Sequence, residues 1–261
     1  MKVRYSYLRQ QFSNCNDLWS ELKNFVSTGD FTLGRPLKNF EKNFAKLIGT
    51  KYAVGVNSGT DAIKLSLKAL GVGSGDEVIT AANTFVATVG AINEIGAKPV
   101  FVDINENTLC IDTEKVEELI TNRTKCIIAM DYDIGICDHD ALAEISLRTG
   151  IPILHDAAHS FGSSYKGRSI GNQHQYTMFS FDPVKTITCI DGGAIVVKGE
   201  NAVMRLHAKR LIGMTQPAAQ MYTNSRAWTY DIEELGFRYH MSNLHAAVGV
   251  SQIKKIEEII K

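Results

Sequence analysis

The sequence has no surplus of either charge: its 261 residues carry 28 Lys and Arg against 28 Asp and Glu. A general polyanion binder would show a basic excess, so nucleic acid is not an expected partner, although a neutral chain can still build one basic pocket for a single phosphate. No run of 18 apolar residues occurs, so no membrane-spanning helix and no membrane partner are expected. No apolar stretch follows Met1-Lys2-Val3-Arg4-Tyr5, so a secretory leader is not expected either. Cysteine is sparse. Cys15, Cys110, Cys126, Cys137 and Cys189 are odd in number, scattered, and form no C-x-x-C pair. This pattern argues against a disulfide framework or a structural zinc site and fits a reducing, cytoplasmic setting. His139, His174, His207, His240 and His245 show no metal-ligand spacing and read as surface or packing residues, so no metal is expected. Neither a P-loop nor a G-x-G-x-x-G fingerprint is present, which removes the nucleoside-triphosphate and dinucleotide readings.

What is present is an alternation of amphipathic helices and short β-branched runs. Leu18, Leu22, Phe25 and Val26 recur at helical spacing, as do Phe40, Phe44 and Leu47 before Gly49. From there the pattern predicts strand 52–56, helix 61–69, strand 77–80, helix 85–95, strand 99–102, helix 113–120, strand 126–130, helix 141–148, strand 152–155 and strands 176–181 and 193–197. Strands separated by helices of this size predict βαβ units and an α/β fold with a mainly parallel sheet. In open α/β sheets ligands bind beyond the carboxyl ends of the strands, and the polar clusters below fall at such ends. Ser242 to Lys261 reads as one long apolar helix, which needs something to pack against.

Asn57-Ser58-Gly59-Thr60-Asp61 sits at a strand-to-helix turn. Gly59 permits close approach to the backbone, and free amides with hydroxyls at a helix start suit a phosphate; the plainer reading is an ordinary N-cap. Asp156 and His159 follow a strand in His155-Asp156-Ala157-Ala158-His159. An acid there can ligate a metal, act as a general base, partner a protonated ring nitrogen, or simply cap the next turn. Lys185 lies in Ser180-Phe181-Asp182-Pro183-Val184-Lys185, ahead of Asp191-Gly192-Gly193-Ala194. A loop lysine is usually solvated, but a partly desolvated one loses its proton more easily and can form a Schiff base with an aldehyde. Phe85, in Asn83-Thr84-Phe85, can stack on a flat ring or merely pack in the core. Pyridoxal phosphate demands a Schiff-base lysine, an acid at its pyridine nitrogen and a phosphate cup, and the three clusters together meet that demand.

The motifs S-G-T-D-A (58–62), A-N-T-F-V-A-T (82–88), G-A-K-P-V-F-V-D-I (96–104), H-D-A-A-H-S-F-G (155–162), S-F-D-P-V-K (180–185), D-G-G-A (191–194) and G-F-R-Y-H-M-S-N-L-H-A-A (236–247) occur in that order. Together they resemble the DegT/DnrJ/StrS family of sugar-nucleotide aminotransferases, and the resemblance covers nearly the whole chain. It implies a type I aminotransferase fold: a large domain with a mixed, mainly parallel seven-stranded sheet and a small C-terminal domain, working as a homodimer with pyridoxal 5′-phosphate. On that resemblance Lys185 would carry the cofactor and move the proton. Asp156 would hold the pyridine nitrogen protonated, and His159 would lie near the phenolic oxygen. Ser58, Gly59, Thr60 and Ser180 would bind the phosphate, and Phe85 would stack on the ring. The implied reaction moves an amino group, commonly from glutamate, to a nucleotide-diphosphate keto-sugar, as in amino-sugar and polysaccharide biosynthesis.

Three departures shape the expectation. Arg238 stands where the family commonly has an Asn that reaches the neighbouring subunit's cofactor, and a guanidinium can make the same contact. Met130-Asp131-Tyr132-Asp133-Ile134-Gly135 replaces a commoner His-Leu-Tyr-Gly-like stretch. Family members also commonly run longer, so residues 1–241 read as the cofactor-binding large domain and 242–261 as the first helix of a truncated small domain. The alternatives are a pyridoxal-phosphate-dependent sugar dehydratase on the same scaffold, against which Lys185 argues, and an inactive fragment.

Overall fold

The computed structural model describes residues 7–214, 232 and 234–260. Two short helical elements lead in, α1 (Leu8–Gln11) and α2 (Asn16–Thr28), followed by α3 (Arg35–Ile48). The α/β core then runs β1 (Ala53–Val56), α4 (Gly59–Ala69), β2 (Glu77–Ala81), α5 (Val86–Glu94), β3 (Lys98–Val102), α6 (Thr113–Val116), β4 (Thr124–Met130), α7 (His139–Thr149) and β5 (Ile153–Asp156). A small hairpin, β6 (Ser164–Tyr165) and β7 (Arg168–Ser169), precedes β8 (Tyr176–Ser180), β9 (Gly193–Val197) and α8 (Glu200–Arg210). The chain closes with α9 (Asn243–Ile253) and α10 (Ile256–Ile260).

The seven-stranded sheet has the order β1-β9-β8-β5-β4-β2-β3. Only β9 runs against its neighbours; the pairs β8–β5, β5–β4, β4–β2 and β2–β3 are parallel. The mixed, mainly parallel α/β sheet of the sequence reading is therefore present. Its strands read as continuous apolar runs because helices cover both faces. Alternation along each strand sorts the side chains. Val54, Ile128, Leu154, Ile195 and Val197 meet α4, α5 and α8 on one face. Ala194 and Val196 meet Phe40 and Phe44 of α3 on the other, and Ile127, Ala129 and Ile153 meet Leu142 and Ile145 of α7.

Several features differ from the sequence reading. The helix expected over 113–120 is α-helical only to Val116 and tightens into a 3₁₀ turn over Glu117–Leu119 before the chain turns into β4. Helix α8 was not anticipated, since its only large apolar buried side chain is Leu206. The helix expected over 242–261 is two helices, with an i→i+3 bond from Lys255 N–H to Gln252 O at the join. Ala246 and Ile256 fill the same core as Leu37, Phe40 and Phe44, and Ala247 and Val248 pack on Leu18 and Phe25 of α2. The apolar segment thus finds its support on α2 and α3.

Candidate active site

The carboxyl ends of β1, β4, β5 and β8 lie side by side, and the candidate residues emerge there. At the end of β1, Ser58 caps α4 by accepting the Asp61 N–H at 3.1 Å. The first amides of a helix have no acceptor within it, so those of Gly59 and Thr60 are available to an anion. Ser180 ends β8 opposite Gly193. It stands so near Gly59 that a Cβ there would lie 2.8 Å from its own Cβ, and a Cβ on Gly193 would lie 2.4 Å from the Ser58 carbonyl oxygen. Both glycines are required by close approach, which turns Ser58, Gly59, Thr60 and Ser180 into one small polar cup.

Asp156 ends β5 and is 3% exposed. Its carboxylate accepts the Ala158 N–H at 3.0 Å and faces the Thr88 hydroxyl of α5 at 3.5 Å. Burial pushes its pKa up to about 6, against the pull of the Ala158 amide and of Lys185. Lys185 sits in the loop after β8. A turn bond from its N–H to the Asp182 carbonyl, 3.0 Å, and the Thr188 hydroxyl on the Phe181 carbonyl, also 3.0 Å, shape that loop. Burial lowers the Lys185 pKa, while the charges of Asp156 and Asp182 oppose that shift. The pair is coupled in charge, with desolvation dominating both members.

His159 is exposed, its ring centroid 6.1 Å from that of Tyr132, and its pKa is lowered by desolvation and then by Lys185. Lys185 and His159 share a cleft of about 1140 Å³ whose far wall is the segment Tyr7–Asn14 together with α10. Asp156, Ser180, Ser58, Gly59, Thr60, Phe85 and Arg238 do not line that cleft. Phe85 precedes α5 with 63% of its surface exposed, so it is not the core residue of the plainer reading. Arg238 is exposed. Antiparallel pairing of His240 with Val56, and the Asn57 N–H on the Tyr239 carbonyl at 2.8 Å, bring Arg238 level with Ser58.

These residues fit a pyridine ring bearing a phosphate. The cup offers helix-start amides and hydroxyls, the buried Asp156 carboxyl has no cation bonded to it among the described residues, and Lys185 offers a partly desolvated amine.

A second cluster escaped the sequence reading. Asp131, His139, His155 and His174 converge behind the strand ends, with ligand atoms of the first three within 4.8 Å of one another. The His155 Nε2 lies 2.7 Å from Asp131 Oδ2, and His139 Nδ1 lies 3.0 Å from His174 Nε2. His139 and His174 lie 35 positions apart and no local spacing joins them; the one visible signal was His155 itself, a polar residue inside a buried strand.

Comparison with known proteins adds the following. A family model described as the DegT/DnrJ/EryC1/StrS aminotransferase family matches residues 15–261. The spore coat polysaccharide biosynthesis protein SpsC of Bacillus subtilis (strain 168) is 38% identical over 241 residues, covering 92% of this chain and 62% of SpsC. The S. venezuelae DesV structure, in complex with a ketimine intermediate, superposes with a TM-score of 0.89 at 33% identity, covering 98% of this chain and 67% of DesV. The Bacillus subtilis NtdA structure with bound cofactor PMP gives 0.87 at 31% identity, covering 98% and 57%. The chain thus spans about three fifths of the length of the curated relatives it matches.

Proposed function

Because the chain belongs to the DegT/DnrJ/EryC1/StrS aminotransferase family, we propose that it works as a pyridoxal-phosphate-dependent aminotransferase. The amino group passes from glutamate to a keto-sugar carried on a nucleoside diphosphate. The observation that carries this reading is the buried Asp156 carboxyl, with its pKa raised to about 6, coupled to the half-buried Lys185 at one sheet edge. Pyridoxal phosphate, when bound, supplies an aldehyde for amine exchange and a ring that accepts electron density.

The chain's own residues do the rest. Asp156 hydrogen-bonds the ring nitrogen; with a pKa of about 6 it is mostly ionised at neutral pH, and its carboxylate holds the proton on that nitrogen. Gly59, Thr60, Ser58 and Ser180 hold the phosphate, with Arg238 adding charge beside the cup. Phe85 would stack on the ring, and His159 would lie near the phenolic oxygen. Lys185 Nζ anchors the cofactor, then takes the proton from the substrate carbon that bears nitrogen and returns it to the cofactor side. Desolvation favours the free amine that this requires.

A homodimer suits this edge. Phe85, Val86, Ile134, Val184 and Ile190 are exposed large apolar side chains in the segments that follow β2, β4 and β8, and apolar side chains exposed at one end of a sheet favour cover by a second copy. SpsC is named for spore coat polysaccharide biosynthesis, and an amino-sugar product for a polysaccharide is the corresponding role here, in the cytoplasm.

The test is a half-reaction. Glutamate added to protein loaded with pyridoxal phosphate should convert the visible cofactor band to the amine form, and a keto-sugar nucleotide should restore it. A band that no amino donor changes would refute the proposal.

A further inference from the structure

We propose that Asp131, His139 and His155 form a zinc site, a metal tie between the ends of β4 and β5 and the start of α7 that is independent of the cofactor reading. Asp131 directly follows β4, His155 lies in β5, and His139 is the first residue of α7. All three are buried, at 1%, 0% and 2% exposure for Asp131, His155 and His139. One ligand atom from each lies within 4.8 Å of the other two. His155 and Asp156 are consecutive on a strand, so they project to opposite faces of the sheet. The cluster therefore stands on the α7 side with Ile153, away from Asp156.

Two observations separate this cluster from an ordinary hydrogen-bonded pair. The first is His139 Nε2, which is buried, has no hydrogen-bond partner, and stands 3.4 Å from Asp131 Oδ1. A buried ring nitrogen is normally paired, and a cation between these two atoms would pair it. The spacing suits one: two donors each about 2.0–2.1 Å from a tetrahedral zinc stand about 3.3–3.4 Å apart. The second is His174, whose Nε2 lies 3.0 Å from His139 Nδ1. With the proton on His139 Nδ1, donated to His174, the Nε2 lone pair is left on the side of Asp131. A metal-bound imidazole is commonly fixed in this way by a partner on its other nitrogen. Asp131 is fixed too, since its Oδ1 accepts the Cys137 N–H at 2.9 Å.

His155 Nε2 lies 2.7 Å from Asp131 Oδ2, a hydrogen-bond distance. Placing its proton on Nδ1 and widening the gap by about 0.6 Å brings this pair to the zinc spacing as well. Two imidazoles with a carboxylate suit zinc rather than calcium or magnesium, which take oxygen ligands. Each Asp131 oxygen faces one imidazole, so a bidentate carboxylate completes four donors. Burial of every ligand makes this a structural ion, taken up as the chain folds. It would brace the segment from Asp131 to Cys137, and with it Asp133 in the wall of the Lys185 cleft. Local spacing along the chain gave no hint of a metal, because only the fold supplies the convergence.

The test is a metal count. The chain is produced in medium supplied with zinc, dialysed exhaustively against EDTA, and analysed by plasma mass spectrometry. About one zinc per chain should stay bound, and X-ray absorption should show nitrogen and oxygen donors at about 2.0–2.1 Å. His139→Gln and Asp131→Asn, with native circular dichroism, should each retain under about a tenth of it. His245→Gln, on α9 outside the cluster, should keep it. Wild-type zinc below about half an equivalent overturns the proposal and marks an adventitious ion only. So does a sulfur shell at about 2.3 Å, which would put the metal on cysteine, or full retention in His139→Gln or Asp131→Asn. The wild-type measurements need no substitution, so they decide even where a variant fails to fold. They use no cofactor, so their failure is distinguishable from failure of the aminotransferase reading.

Discussion

At the scale of residues, the candidate site is a place where stability yields to chemistry. An ionised Asp156 is poorly tolerated in its burial, and its pKa of about 6 lies well above that of an ordinary aspartate. The folded state therefore binds the proton more tightly than the unfolded chain, so stability is lost as pH rises from about 4 through 6 and stays low above that. Asp156→Asn should accordingly stabilise the cofactor-free protein at pH 8 by on the order of 2–3 kcal/mol, with a smaller gain at pH 5, read by urea unfolding at both values. An equal gain at both pH values would contradict the assignment. Gly59→Ala acts the other way. Its methyl would meet Ser180 Cβ at 2.8 Å, and the neighbour is not a flexible side-chain tip that can swing aside. Helix α4 would have to shift, and affinity for pyridoxal phosphate, measured by fluorescence titration, should fall at least about tenfold, a loss of about 1.4 kcal/mol. Asp156 and Ser180 were legible because each ends a readable strand, and Lys185 because it lies in the loop after one. His139 and His174 were not, because only the fold closes the distance between them.

Elements here are held by a few buried polar ties as well as by their apolar faces. Glu41 on α3 accepts the Gly55 N–H of β1 at 2.9 Å and pairs with Arg210 on α8, whose guanidinium donates to the Gly55 carbonyl at 2.7 Å. One edge strand is thus clamped between two helices. Glu41→Gln leaves Arg210, 5% exposed at its side chain, as an uncompensated buried charge. The expected cost is about 3 kcal/mol in a denaturant titration. Removing the exposed Arg35–Glu21 pair as a comparison should cost under about 0.5 kcal/mol. The strands were readable in sequence because two-sided burial makes them unbroken apolar runs. Helix α8 was hidden for the opposite reason: Lys209 and Arg210 are among its buried residues, so the side that faces inward looks polar in the sequence. The hairpin of β6 and β7, two residues to a strand, has too short a pattern to announce itself.

For the molecule as a whole, the three-layer arrangement makes the carboxyl edge of the sheet the single place where strand ends, helix starts and the reversed strand β9 meet. That convergence was predictable from the alternation of strands and helices. The docking of α9 onto α3 and α2 was not, since an apolar helix says that it needs a partner without naming one. The central claim is that Lys185 is the residue that holds the cofactor at this edge. Protein equilibrated with pyridoxal phosphate, reduced with borohydride, digested and mapped by mass spectrometry tests it most directly. The account predicts the reduced cofactor on the peptide containing Lys185 and none in Lys185→Ala. Absence of attachment there, or attachment spread over other lysines, would contradict it.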